Sequence, residues 1–236
     1  MASLYLIRHG QASFGSANYD QLSALGQRQA DLSGHFFADI GLHFGQAVSG
    51  DLSRQQETGQ RVLASQPEPA DLRTDPRLNE VDNEGQIAAL LPILCEQDED
   101  FAERVKAGRS DSKQYQKVIQ AVFNAWVSPD CPTLDGTASW PDYLAGVRGA
   151  LEEAMEQAES GSDTAIFTSG GTIATAVSWV LGVPHNQIYG FYEPVFNCSI
   201  TRLIFSRGRV SLSNFNDTAH LQLLSQQLGE ALVTYR

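Results

Sequence analysis

The apolar residues of this chain form short continuous runs that alternate with longer segments of helical periodicity. The first run, residues 4–7, is typical of a strand that is buried on both faces of a sheet. Two later runs are separated by a turn at Gly208 and predict a hairpin. On this basis we predict strands at residues 4–7, 46–49, 72–74, 165–168, 199–205 and 210–215.

Five helices are predicted from apolar positions three to four residues apart and from the residues at their ends. Ser23 is the predicted N-cap of the first helix, which Gly41 ends, and Asp51 is the predicted N-cap of the second. The predicted helices cover residues 24–40, 52–64, 140–157, 173–181 and 221–232.

The segment from about residue 87 to 132 is amphipathic and differs from the rest of the chain. We predict that it is a helical insertion lying over the pocket rather than a separate domain. Strands alternate with helices elsewhere, which predicts an α/β fold, a three-layer sandwich with a mostly parallel central sheet. We expect residues 1–236 to form a single domain.

The charge balance restricts the partners of the chain. Its formal net charge is -12, so most of its surface repels polyanions, and we expect no nucleic acid and no membrane as partners. The sequence shows neither the apolar run of a signal peptide nor that of a membrane span, which favours a cytoplasmic protein. The three cysteines have no Cys-x-x-Cys spacing, which argues against a disulfide framework and a cysteine-based zinc site.

Unusual polar residues follow several of the predicted strands. Arg8, His9 and Gly10 end the first strand, Arg54 follows the second, and Glu80 follows the third. The strand at 165–168 leads into Ser169-Gly170-Gly171 and an apolar helix. Ligands of open α/β sheets bind beyond the carboxyl ends of the strands, so these groups are predicted to meet in one place. Two guanidiniums, an imidazole and a glycine-rich helix start predict a phosphate-handling site.

The motifs at these positions resemble those of the histidine phosphatase (phosphoglycerate mutase-like) superfamily. Residues 6–10 match its apolar strand with Arg-His-Gly, and residues 22–30 match Leu-Ser/Thr-x-x-Gly-x-x-Gln-Ala. Residues 50–58 correspond to Ser-Asp-Leu-x-Arg-x-x-x-Thr with Gly at the first position, and residues 78–80 match Leu-x-Glu. The four motifs follow the family's order and spacing, so the resemblance implies a phosphoglycerate mutase-like fold.

The resemblance also implies a role for each residue. His9 would attack phosphorus as a neutral nucleophile and form a phosphohistidine, its other ring nitrogen held by the backbone near Gly10. Arg8 and Arg54 would bind the phosphoryl oxygens, and Glu80 would protonate the leaving oxygen. The implied substrate is a phosphorylated small molecule, with no metal and no organic cofactor.

The chain departs from the family pattern at its second histidine. That residue stands in Ser-His-Gly-Gly in the family, whereas Ser169 precedes Gly170 here. Ser169 and the Gly170 backbone are predicted to contact phosphate, with a weaker hold on the transferring group. Another residue, for which His220 is a candidate, is an alternative source of the missing group. Gln11 and Ser13 replace polar residues of the family, and Ser13 either contacts phosphate or caps its loop.

Three functions stay open on the sequence. A phosphomonoester phosphatase acting through His9 is the leading hypothesis. A mutase would need a second basic cluster for another phosphate group, and the basic residues considered, Arg77, Arg104 and Lys106, are scattered. A catalytically weak or inactive phospho-ligand-binding protein is the third. The oligomeric state is open, with a homodimer as one option.

Overall fold

A six-stranded mixed sheet forms the centre of the molecule. The computed structural model describes residues 2–13, 20–108, 112–206 and 208–235. The strand order is β3-β2-β4-β1-β5-β6. Strands β3, β2, β4 and β1 pair in parallel, whereas β5 pairs antiparallel with both β1 and β6. The strands are β1 (Ala2–Arg8), β2 (Phe44–Ser49), β3 (Leu72–Thr74), β4 (Asp163–Thr168), β5 (Ile200–Ser206) and β6 (Arg209–Asp217). The predicted three-layer α/β fold with a mostly parallel sheet is confirmed.

Helices cover both faces of this sheet. None in the described part of the chain has the length and apolar character that crossing a membrane requires. The helices are α1 (Ala24–Asp39), α2 (Ser53–Leu63), α3 (Asn83–Gln97), α4 (Glu99–Gly108), α5 (Ser112–Trp126), α6 (Trp140–Gln157), α7 (Gly170–Leu181), α8 (Tyr189–Tyr192) and α9 (Ala219–Leu228).

Successive residues of the buried strands face opposite layers. Ile7 and Phe167 pack on the side of α1, α2 and α9, whereas Leu6 and Ile166 pack on the side of α6 and α7. All four side chains are fully buried. Burying an apolar side chain of this size stabilises a fold by about 1.5–3 kcal/mol, so β1 and β4 are held firmly where their carboxyl ends meet.

The predicted insertion consists of α3, α4 and α5. It begins at Asn83 because the Asp82 side chain caps α3, accepting from the Gly85 N–H at 2.9 Å. Phe123 of α5 packs against Tyr192 of α8, with ring centroids 5.2 Å apart. The insertion therefore lies against the elements that follow β4 and α7.

Several predicted helix ends are wrong. Helix α7 begins at Gly170 rather than 173, and α9 begins at Ala219 rather than 221. Asp51 is not the N-cap of α2, because its carboxylate accepts from Asn79 Nδ2 at 2.5 Å and Leu52 occupies the cap position. The last helix ends at Leu228 rather than 232, since Gly229 adopts a left-handed conformation with φ 67°. Residues 230–235 then form a tail without regular secondary structure.

Candidate active site

The Arg8-His9-Gly10 turn lies where two parallel strands end side by side. Arg8 pairs with Thr168 across β1 and β4, and the His9 N–H donates to the Thr168 carbonyl at 2.9 Å. Asn197 Nδ2 donates to the His9 carbonyl at 3.2 Å. The His9 backbone is thus hydrogen-bonded through both its N–H and its carbonyl, and the His9 side chain is buried.

A close backbone approach shapes the next part of the turn. A Cβ on Gly10 would overlap the Gly26 carbonyl, and a Cβ on Gly26 would overlap the Gln11 backbone. The Gly10 N–H donates to Thr58 Oγ1 of α2 at 3.0 Å. The start of α1 can approach the turn only because both positions are glycine.

The ring of His9 has one defined tautomer. Nδ1 lies 2.7 Å from the Gly10 carbonyl, which can only accept, so the hydrogen is on Nδ1. Arg54 Nε donates to Nε2 at 3.2 Å, which places a lone pair there. Nε2 is therefore the ring nitrogen that has the lone pair, and it faces a guanidinium.

Electrostatics keep this imidazole neutral. Burial, followed by the positive charges of Arg8 and Arg54, lowers the pKa of His9 well below 6.5. The hydrogen bond to Gly10 opposes the shift without cancelling it. A neutral ring with a lone pair is the form that can attack phosphorus.

Arg54 is oriented by a carboxylate that sequence analysis missed. Its Nη1 lies 2.7 Å from Asp20 Oδ1 in a partly buried ion pair. Asp20 Oδ2 accepts from the Ser53 N–H at 2.7 Å, so one carboxylate caps the start of α2 and holds the guanidinium. The only signal in the sequence was an acidic residue at the end of a polar loop, which is common at loop surfaces.

Arg8 is positioned by two distant parts of the chain. Its Nη1 donates to the Val195 carbonyl and, at 3.0 Å, to the Tyr235 carbonyl. The tail that includes Tyr235 is attached beside the site, because the Asn197 N–H donates to the Thr234 carbonyl at 2.7 Å. Residues from both ends of the sequence thus meet at one guanidinium.

Glu80 lies at the amino end of α7. Its Oε1 accepts from the Gly171 N–H at 2.9 Å and from the Val81 N–H at 3.0 Å, which leaves Oε2 for a proton. Burial raises the pKa of Glu80, although Arg8 and Arg54 oppose the shift. A Cβ at position 171 would overlap Oε1, so a glycine there allows the carboxylate to approach the helix end.

Ser169 is the N-cap residue of α7 and Gly170 its first residue, so the helix begins three residues before the predicted start at 173, and both residues are buried. Ser169 is at the N-cap position, but its side chain makes no capping bond. Its Oγ instead accepts from Gln55 Nε2 at 2.8 Å. Gly170 lies against the ring of Tyr192, to which a Cβ at this position would come within 3.4 Å.

Ser13 and Gln11 lie on the loop that follows the turn. The Ser13 N–H donates to the Gln21 carbonyl at 2.8 Å, and residues 14–19 between them lie outside the described part of the chain. Gln11 Oε1 accepts from Ser23 Oγ at 2.9 Å and so joins the loop to α1. A phosphate contact from Ser13 stays a prediction.

His220 is built into the core beside α1. Its Nε2 lies 3.1 Å from Ser33 Oγ, and its ring stacks on Phe36 with centroids 4.9 Å apart. These contacts with the middle of α1 give His220 a packing role. His220 therefore does not replace the histidine that the family has at the position of Ser169.

Comparison with protein families gives an independent assignment. A model of the histidine phosphatase superfamily (branch 1) matches residues 4–87 and 84–218, which together include His9, Arg54, Glu80 and Ser169. A search of curated protein sequences gives no significant match.

Solved structures share this fold at low sequence identity. A phosphoserine phosphatase from Entamoeba histolytica, solved with phosphoserine, has a TM-score of 0.65 at 18% identity over 94% of this chain and 100% of its own. A phosphoglycerate mutase from Bacillus anthracis has a TM-score of 0.65 at 18% identity over 94% and 95%. A mycobacterial glucosyl-3-phosphoglycerate phosphatase has a TM-score of 0.60 at 20% identity over 92% and 99%. Identities this low show the fold alone.

Proposed function

Because the chain belongs to branch 1 of the histidine phosphatase superfamily, we propose that it is a phosphomonoester phosphatase acting through a phosphohistidine on His9. The observation that carries the proposal is the state of the His9 ring. Nε2 has a lone pair, faces Arg54 and belongs to an imidazole whose pKa is lowered well below 6.5. That combination favours nucleophilic attack and is not needed in a histidine that only fills space.

The first half of the reaction transfers the phosphoryl group to the enzyme. His9 Nε2 forms a bond to phosphorus while the bond from phosphorus to the ester oxygen breaks. Arg54 Nε, which donates to His9 Nε2 in the absence of substrate, turns to a phosphoryl oxygen and so frees the lone pair. Arg8 binds the phosphoryl oxygens as well, with the start of α7 at Gly170 behind them. Glu80, whose pKa is raised, donates a proton from Oε2 to the leaving oxygen.

The second half regenerates the enzyme. A water molecule attacks phosphorus, the bond from phosphorus to Nε2 breaks, and the lone pair returns to His9. The Glu80 carboxylate takes the proton from the attacking water, since it lost its own in the first half. Phosphate then leaves, and the amides of Gly171 and Val81 hold Oε1 throughout. Direct contacts of Ser13 and Ser169 with phosphate are further predictions of this mechanism.

Three basic residues that could have bound a second phosphate group, Arg77, Arg104 and Lys106, lie in ion pairs. Arg77 binds Asp75 and Glu153, with Arg77 Nη2 2.7 Å from Glu153 Oε2. Arg104 and Lys106 pair with acids of their own helical region, at 3.6 and 2.7 Å. This pairing favours hydrolysis over transfer to a second substrate.

The test is turnover of an aryl phosphate by the wild type and by His9→Ala. We expect the wild type to release phosphate and to form an acid-labile phosphoenzyme, and His9→Ala to lose both, with at least a ~10³-fold fall in kcat. His35→Ala is the matched control, because His35 is an exposed residue of α1. Absence of turnover and of phosphoenzyme in the wild type across a broad panel of phosphomonoesters would overturn the proposal and favour a ligand-binding protein.

A further inference from the structure

The side chain next to Arg54 on α2 points the other way, into the protein. Gln55 is fully buried, and its Nε2 donates to Ser169 Oγ at 2.8 Å and to the Leu78 carbonyl at 3.2 Å. Ser169 begins the helix at which the phosphate is proposed to bind, and Leu78 leads to Glu80. One amide therefore connects the two segments that carry the site opposite His9.

The room for Gln55 comes from two small neighbours. A Cβ on Gly50 would overlap Gln55 Oε1, so the amide packs directly on the Gly50 backbone. On the other side it contacts Ser169, which is fully buried. An imidazole at position 169 would occupy the place of the Gln55 amide. Gln55 and Ser169 thus form a matched pair where the family pattern predicts histidine.

The Leu78 carbonyl is the point through which Gln55 reaches Glu80. It also accepts from Thr168 Oγ1 at 2.6 Å. The next carbonyl, of Asn79, accepts from Thr172 Oγ1 at 2.7 Å. Two residues beyond Leu78, the Glu80 carboxylate binds the start of α7. Of these hydrogen bonds, only the one from Gln55 to the Leu78 carbonyl comes from α2. Removing that donor would therefore loosen the attachment of the segment before Glu80 to α2.

We propose that Gln55 is a positioning residue of the phosphatase reaction, which holds Glu80 and the start of α7 in register and fills the space left by the serine at position 169. This inference rests on the proposed function. Ser169 Oγ accepts from Gln55, which leaves the hydroxyl hydrogen of Ser169 for another acceptor. The site is thus built around an amide and a hydroxyl in place of a second imidazole.

The role through Glu80 is tested by the dependence of turnover on the leaving group. A nitrophenolate leaves without a proton, whereas an alkoxide needs one from Glu80. For Gln55→Met, which keeps the length of the side chain and removes the donor, we expect kcat/KM for an alkyl phosphate to fall roughly tenfold more than for nitrophenyl phosphate. Gln60→Met, at an exposed position of the same helix, is the control and should change neither value.

The pairing with Ser169 is tested by combined substitutions. Ser169→His alone is expected to lower both the melting temperature and turnover, because the ring meets the Gln55 amide. In a Gln55→Ala background the same histidine has room, and we expect turnover at least tenfold above that of Gln55→Ala. A rise in turnover for Ser169→His alone would overturn the pairing.

The outcomes separate this inference from the proposed function. Equal losses for both substrates in Gln55→Met, with an active wild type, would overturn the action through Glu80 and leave the phosphatase assignment standing. A wild type that turns over neither substrate would overturn the proposed function and, with it, the role of Gln55. The melting temperature of each variant shows whether a loss of turnover reflects unfolding.

Discussion

At the scale of single residues, His220 is buried away from the candidate active site. Its burial therefore affects the stability of the fold and not the chemistry at His9. Burial lowers the pKa of His220 to about 4, and the charge of Asp217 opposes the shift only in part. The ring is neutral at pH 7 and stacks on Phe36. In the unfolded chain it has the ordinary pKa of about 6.5 and takes up a proton more readily.

This difference predicts a pH-dependent stability. Between pH 6.5 and about 4 the unfolded state binds more protons at this position, so stability is lost as the pH falls through that range. We expect the contribution of His220 to fall by roughly 2–3 kcal/mol from pH 7.5 to pH 4.5. Urea unfolding of the wild type and of His220→Gln at both pH values measures it. Equal pH dependence in the two proteins would contradict the prediction.

Residues with a role in a local motif were predictable, and those that act across the fold were not. His9, Arg54 and Glu80 stand at strand ends in recognisable spacing, and the structure brings them together. Asp20 and Gln55 act through partners 34 and 114 positions away, respectively. Neither partner can be identified before the topology is known, because no local pattern encodes it.

At the scale of elements, the approach of α1 to the His9 turn depends on paired glycines. Gly26 lies in the first turn of α1, and its backbone faces Gln11 without room for a Cβ. Gly146, in α6, has no atom nearer than 3.8 Å to the position of a Cβ. The two glycines therefore differ in surroundings although both lie in helices.

An alanine at each position should have opposite effects. We expect Gly26→Ala to destabilise the fold by about 1–3 kcal/mol through overpacking. It should also lower kcat about 10²-fold, because the turn that carries His9 must shift. Gly146→Ala should stabilise by roughly 0.5–1 kcal/mol and leave kcat unchanged. Denaturant unfolding and aryl phosphate turnover of both variants check this, and full activity in Gly26→Ala would refute it.

Element types were easier to predict than element ends. Each of the six predicted strands corresponds to a strand of the sheet, although β3, Leu72–Thr74, has only one apolar residue. The Ser23 cap and Gly41 identified the limits of α1 to within a residue. The start of α2 was misplaced because Asp51 bonds to Asn79 rather than to the helix. The end of α9 was misplaced because apolar residues continue past Gly229 into the tail, where Leu232 is buried.

At the scale of the whole molecule, we expect the net charge to discriminate among phosphate esters. The net charge of -12 contrasts with the two guanidiniums at the site. A small phosphomonoester has to cross this field with about two negative charges, whereas an oligonucleotide carries many. Repulsion acts on the entire ligand, even though only its terminal phosphate would react.

We therefore predict discrimination between a nucleoside monophosphate and an oligonucleotide with the same terminal phosphate. At low salt kcat/KM should be about tenfold or more lower for the oligonucleotide. The difference should shrink at 0.5 M salt, where screening acts over a few ångströms. Both esters have the same leaving group, so each serves as control for the other. Faster turnover of the oligonucleotide at low salt would show a basic binding face.

The tail at residues 230–235 has a consequence for the order in which the enzyme matures. Arg8 donates to the carbonyl of Tyr235, which lies 227 positions later in the sequence. This hydrogen bond can form only after the ribosome has added those residues. At about 5–20 residues per second this delay lasts roughly 10–45 s. The His9 turn itself needs Thr168 and Asn197, and the Arg8 guanidinium needs Val195 as well as Tyr235. Arg8 would then gain its full set of contacts late in synthesis, only after residue 235 has been added.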